Sequence, residues 1–265
     1  MQKRTFLLSM VLMVACLLSA APAKRIISLS PALTRNILYL GDEDELVGCT
    51  SYCVTTHPKT IVASAIKVNV EKVASLKPDL VVTSTMTPPE TVASLKKLGI
   101  KTVVFPMPHS YNEICSQFLQ LGRLIGKETA AKKVLNATQQ KVNALKAKVN
   151  SQKKILIQLG ANPLFAVISN TFMNDYISFS GSKNIADGMT SGTITREAVL
   201  VRNPDVIFIV TMGMLGPEQK REWERYPNLS AVKNKKIIII DSNKACTPTP
   251  VTFAEALELI VKALK

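Results

Sequence analysis

Histidine is nearly missing from this chain: there are two in 265 residues, His57 and His109. A Ser-His-acid triad has little to draw on, and the signatures G-x-S-x-G, H-E-x-x-H, the Walker loop and a post-strand G-x-G-x-x-G are all absent. An enzyme is therefore not the expected reading. Tryptophan occurs once, at Trp223, and aromatics make up only 5% of the chain. Acid is scarce too, with 19 Asp+Glu against 33 Lys+Arg. The basic residues are spread thinly along helical stretches without interleaved aromatics or a helix-turn-helix pattern, so nucleic acid is not an expected partner. Solvated helix faces account for most of that charge, and attraction of anionic ligands or an anionic membrane surface is the alternative. After the N-terminus no run approaches the ~20 apolar residues of a spanning helix. Low-complexity tracts are missing as well.

What is present begins with a targeting segment. Lys3 and Arg4 form a basic start, residues 6–18 are apolar, and Ala21-Pro22-Ala23 fits small-x-small cleavage. Residues 1–23 are expected to be a signal peptide, and the protein to be exported to the periplasm. Val14-Ala15-Cys16 offers a second reading, a lipid anchor on Cys16. Cys49, Cys53, Cys115 and Cys246 then remain. An oxidising compartment permits disulfides, and four cysteines allow three full pairings, with Cys53–Cys246 one possibility. Cys49, Cys53 and His57 form a C-x3-C-x3-H series whose flanks are unlike a zinc finger, so no metal site is expected there.

Two stretches repeat. Glu71 to Ser84 and Glu197 to Val210 each place Pro-Asp at the same distance from the Glu, at Pro78-Asp79 and Pro204-Asp205, and follow it with a β-branched apolar run. A helix rarely continues into the residue before proline. The unit is helix, stop, buried strand, and its recurrence predicts two α/β lobes with parallel sheets. Residues 24–109 read as the first lobe and 151–265 as the second. Between them, 110–150 reads as helix, with Ile114, Phe118, Leu121 and Ile125 on one face. Gly126 is a possible break, and 128–149 would then span ~33 Å between lobes. Residues 49–59 read as a long functional loop.

The ordered set Arg25-Ile-Ile-Ser-Leu-Ser30-Pro31-Ala-Leu-Thr34, Leu46-Val-Gly48, Glu71 to Val81, Gly160-Ala-Asn-Pro163-Leu-Phe165, Thr171-Phe-Met-Asn174-Asp175 and Val232-Lys-Asn234 to Ile240-Asp241 covers nearly all of the chain after the leader. It resembles the substrate-binding proteins of ABC importers for vitamin B12 and ferric siderophores. The resemblance implies a class III periplasmic-binding-protein-like fold, two Rossmann-like lobes joined by a single long helix. It also implies a monomer that captures a metal chelate, with a corrinoid, haem and a ferric siderophore as candidates in that order, and hands it to an inner-membrane permease. No resident cofactor is expected, since the cobalt or iron chelate is cargo. An enzyme handling metal or haem through cleft cysteines and histidine, or a ligand sensor, is the alternative.

Ligands of such lobes sit outside the carboxyl ends of parallel strands. That places Ser30, Tyr52, Cys53, Ser84, Thr85, Met86 and His109 on one side. Asn162, Phe165, Met212, Trp223, Lys244 and Cys246 stand on the other. Tyr52 and Phe165 resemble aromatic positions of the B12-binding relatives, whereas Ala63-Ser-Ala65-Ile66 and Ser191-Gly192 stand where those relatives carry tryptophan. Glu197 matches an acidic permease-docking residue. In the first lobe Arg35 stands where the family has Glu.

Overall fold

The computed structural model describes residues 22–64, 67–211 and 215–265; residues 1–21 with Cys16, Ala65, Ile66 and the segment 212–214 lie outside them. In the first lobe strand and helix alternate as β1 (Ile26–Ser28), α1 (Pro31–Tyr39), β2 (Leu46–Thr50), β3 (Thr60–Ala63), α2 (Val70–Ser75), β4 (Leu80–Ser84), α3 (Pro89–Lys97) and β5 (Thr102–Phe105). Their order is β3-β2-β1-β4-β5, with every pair parallel. The strand order reverses between β1 and β4, so a crevice opens beyond their carboxyl ends. β3 is an addition to the sequence reading, a four-residue strand after the 49–59 loop.

α4 (Tyr111–Leu124) and α5 (Glu128–Ala147) follow, separated at Gly126, whose φ of 73° ends the first helix. Both helices serve both lobes. Tyr111 and Ile114 pack into the core of the second lobe, while Phe118 and Leu121 pack into the first. Along α5 the order is reversed: Ala131 belongs to the first core and Val142 to the second. α5 is the expected long connecting helix, and α4 runs beside it with its residues divided the same way.

The second lobe contains β6 (Lys154–Ala161), β7 (Leu164–Ala166), α6 (Asn174–Phe179), β8 (Lys183–Asn184), α7 (Arg196–Arg202), β9 (Val206–Thr211), α8 (Leu215–Glu224), α9 (Ser230–Lys233), β10 (Ile237–Asp241), α10 (Ser242–Ala245) and α11 (Pro250–Leu264). The sheet runs β10-β9-β6-β7, with β8 also on β6, and only the β6–β7 pair is antiparallel. Two residues connect β6 to β7, and so short a link permits only a hairpin.

The Pro-Asp repeat does the same job twice. Asp79 accepts the backbone N–H of Lys24 at 2.7 Å and of Arg25 at 3.1 Å, fixing the start of β1 beside β4. Asp205 accepts the N–H of Lys154 at 2.8 Å, fixing the start of β6 beside β9. The cations match as well. Arg25 donates through Nη2 to the Leu76 carbonyl at the end of α2, and Lys154 through Nζ to the Arg202 carbonyl at the end of α7. Both cap a helix C-terminus, where carbonyls lack partners and cations are favoured. Lys77 and Asn203, one residue before each proline, share a left-handed φ of about 45°.

Candidate functional site

The carboxyl ends of both sheets face one cleft of about 470 Å³. The first lobe supplies Leu29, Ser30 and Pro31 after β1, Ser84 and Met86 after β4, and Phe105 to Pro108 after β5. The second supplies Leu159 from β6, Val210 from β9, and Ser242, Asn243, Cys246, Thr247 and Pro248 after β10. Depressions of similar size lie elsewhere, one of them adjoining the cleft at Leu29, Pro31, Tyr52 and Met86 with Lys67 and Glu90 in its wall. In the one beside β8, Lys154 and Arg202 already donate to the carbonyls of Arg202 and Ile185. The cleft alone among these draws on both lobes, which is what a captured ligand requires.

Its chemistry is neutral. No Asp, Glu, Lys, Arg or His stands among the described lining residues. Apolar surface dominates, and the polar side chains are hydroxyls, carboxamides and the Cys246 thiol. Gln117 donates through Nε2 to the Pro106 carbonyl at 3.0 Å, which fixes its carboxamide at the wall. Asn36, on α1, is 97% buried by its relative exposure of 3%, and its Oδ1 has no hydrogen-bond partner among the described residues. A buried acceptor left unmatched costs about 1–3 kcal/mol.

The sequence-predicted residues divide. Ser30, Tyr52, Ser84, Met86 and Cys246 line the cleft; Tyr52 and Met86 are 56% and 76% exposed there. Cys53 lies behind the Tyr52 turn, taking a hydrogen bond from Thr34 Oγ1 at 3.0 Å. The Cys53–Cys246 pairing is corrected: Cys49, Cys53, Cys115 and Cys246 are all free, and Cys246 stands in the other lobe. Thr85 is exposed beside the cleft, with its N–H on the Phe105 carbonyl. His109 turns away, its Nδ1 3.2 Å from the Asn170 carbonyl. Lys244 is exposed and not part of the lining, and Met212 lies outside the described residues.

Trp223 is a correction. It is fully buried in the second lobe, donating Nε1–H to Gln158 Oε1 at 2.7 Å, while Gln158 donates onward to Gln219 Oε1 at 3.1 Å. A side chain so enclosed cannot meet a ligand. Asn162 and Phe165 sit on the β6–β7 hairpin next to Leu159, both exposed, but outside the cleft lining. Phe165 explains the missing tryptophan at 192. A Cβ on Gly192 would stand 2.4 Å from Phe165 Cε1, so the phenyl ring fills the space a larger residue would need.

The 49–59 loop is anchored rather than free. Glu43 accepts the N–H groups of Thr56 and His57 and the Thr56 hydroxyl, and its own carbonyl takes Lys59 Nζ at 2.8 Å. Partial burial opposes ionisation of Glu43, but these hydrogen bonds prevail and hold its carboxyl below the usual range. His57 is therefore a surface residue held through its backbone.

Asn36, Gln117, Asn243 and Thr247 were missed in the sequence. One of them left a signal. Leu33, Asn36, Ile37 and Leu40 share one helical face at the i, i+3, i+4, i+7 spacing, and Asn36 is its only polar member. Arg35, at the position where the family carries its first-lobe Glu, bridges the lobes: its Nη1 donates to the Asn243 carbonyl at 3.1 Å. Glu197 is exposed in the first turn of α7. Its own backbone N–H and the Thr195 hydroxyl hold its carboxyl below the usual range.

Comparison with known proteins agrees with this architecture. Residues 26–244 match the model of the family described as periplasmic binding protein. A vitamin B12-binding protein of Vibrio cholerae is 28% identical over 253 residues, 92% of this chain and 90% of that one. An uncharacterized ABC transporter substrate-binding lipoprotein of Bacillus subtilis is 28% identical, over 91% of this chain and 80% of its own length. Among solved structures, the periplasmic vitamin B12-binding protein BtuF of Vibrio cholerae superposes with a TM-score of 0.77 at 26% identity, covering 92% of this chain and 97% of that one. The periplasmic haem-binding protein HutB of Vibrio cholerae reaches 0.80 at 22% identity, covering 91% and 98%, and shares the fold.

Proposed function

Because the chain belongs to the periplasmic binding proteins, we propose that it captures a metal chelate with an uncharged face, a corrinoid ahead of haem and haem ahead of a ferric siderophore, and delivers it to an ABC permease. The family is one of substrate-binding transport proteins, and it gives no support to the enzyme and sensor alternatives. The expected location is extracytoplasmic, soluble or anchored through Cys16.

The observation that carries the ligand class is the lining without charge. An anionic chelate, such as a ferric catecholate or a haem with its propionates, needs cations where it is desolvated, and an unpaired buried charge costs several kcal/mol. A corrinoid carries carboxamides on its rim. Ser30, Asn36, Gln117 and Asn243 can meet those with neutral hydrogen bonds, while Leu29, Leu159, Val210 and the prolines cover the ring faces. Titration calorimetry with cyanocobalamin, haemin and an anionic ferric tricatecholate tests this. Binding of one cyanocobalamin per chain is expected, about tenfold or more tighter than either rival. Tightest binding of the tricatecholate would overturn the ligand class.

Docking is proposed to run through Glu197, an exposed carboxylate suited to a permease arginine, and not through Arg35, whose guanidinium is held between the lobes. Glu197→Ala should reduce uptake in a transport assay and leave the calorimetric affinity unchanged. Equal loss of both would contradict a docking role.

A further inference from the structure

Cys49 and Cys53 bracket the turn that carries Tyr52. Cys49 is buried at the end of β2, and Cys53 is half-buried after the turn. The Cys53 N–H donates to the Thr50 carbonyl at 3.1 Å, folding the chain back toward Cys49. Thr34 Oγ1 donates to Cys53 Sγ at 3.0 Å, and Thr50 Oγ1 lies 3.2 Å from it. Two hydroxyl groups thus converge on one sulfur. Donors gathered around sulfur favour thiolate over thiol, and thiolate is the reactive form.

The energetics agree with the geometry. The Cys49 hydrogen bond, followed by those of the threonines, outweighs burial and lowers the Cys53 thiol to about 6. Cys49 itself is pushed upward, first by its bond to Cys53 and then by burial. Cys115 is raised by burial to about 11, which the neighbouring Tyr111 hydroxyl only partly offsets. Ser51 and Tyr52 are exposed, so the turn is open to solvent on the Cys53 side.

We propose that Cys49 and Cys53 form a redox-active dithiol that exchanges with an external disulfide, Cys53 attacking and Cys49 resolving. The Cys53 thiolate attacks one sulfur of a disulfide RSSR, the S–S bond breaks, and one RS⁻ leaves as a mixed disulfide forms. Cys49 gives up its proton and attacks Cys53 Sγ, displacing the second RS⁻. The two protein thiols are oxidised to one disulfide, the external disulfide is reduced, and the two protein protons end on two RSH. The ring so closed spans Thr50 to Tyr52. Its effect on ligand capture rests on the cleft reading through Tyr52, whereas the exchange itself does not.

The test uses the full chain, reduced, then incubated with oxidised glutathione, acid-quenched, alkylated and mapped by mass spectrometry. Cys49 and Cys53 should lose alkylation together, and their joint peptide should be lighter by two hydrogens. Cys49→Ser should trap glutathione on Cys53, and Cys53→Ser should leave Cys49 unreactive. Thr34→Val should slow Cys53 alkylation at neutral pH several-fold. Persistence of both thiols in the wild type overturns the proposal, as does a wild-type glutathione adduct that never resolves. The wild-type map decides even if a variant fails to fold. Cyanocobalamin titration of the reduced and oxidised forms then reads the cleft separately. No binding by either form would count against the ligand assignment and leave the dithiol standing.

Discussion

Asn36 occupies a place where helix periodicity calls for an apolar side chain. Leu33, Ile37 and Leu40 on the same face are buried and pack in the first-lobe core. A leucine at 36 would remove an orphaned acceptor, so stability alone does not account for the asparagine. We propose that a donor arriving with the ligand does. Asn36→Leu should therefore leave the melting temperature unchanged or raised, and weaken cyanocobalamin binding roughly three- to tenfold, the equivalent of one hydrogen bond of about 0.5–1.5 kcal/mol. Calorimetry beside a thermal melt reads both, and unchanged affinity would contradict the role. This residue was within reach of sequence reasoning, as a polar interruption in an apolar stripe. Trp223 shows the opposite error. The strand-end argument put the one indole beside the ligand, whereas its Nε1–H completes a buried chain through Gln158 to Gln219. No local pattern shows that Gln158, 65 residues away, waits for that donor.

The Pro-Asp elements were legible because proline punctuates both copies and the strands after them are β-branched. What the sequence did not reveal is why aspartate follows. Its carboxylate fixes the first N–H of the neighbouring strand, a contact 51 residues away in one lobe and 55 in the other. Asp205 is half-buried and Asp79 exposed. Asp205→Ala should thus cost about 1–3 kcal/mol, and Asp79→Ala less, since water can replace the lost acceptor. Urea unfolding with an unchanged slope would measure this as a lower midpoint. Equal midpoints for wild type and Asp205→Ala would contradict the anchoring role. β3 and the short α10 were harder to read, because four residues carry little periodicity. α10 matters most, since it brings Asn243 to the lobe boundary.

At the scale of the molecule, two cores are bridged by α4 and α5, and Lys141 on α5 pairs with Glu258 on α11 at 2.7 Å. The lobes were predictable from the repeat, and the long helix from its thin apolar stripe. The division of α4 between both cores was not, because Ile114 and Phe118 share one stripe and only the packing shows that they meet different lobes. The cleft's position followed from strand ends. Its neutrality did not, because a chain of net charge +14 gives no hint that the described lining of its cleft carries no charged residue. That neutrality is the centre of the functional account. Native mass spectrometry of the protein purified from its own host tests it most directly: the account predicts one bound cobalt corrinoid per chain, and a bound haem or anionic ferric chelate would contradict it.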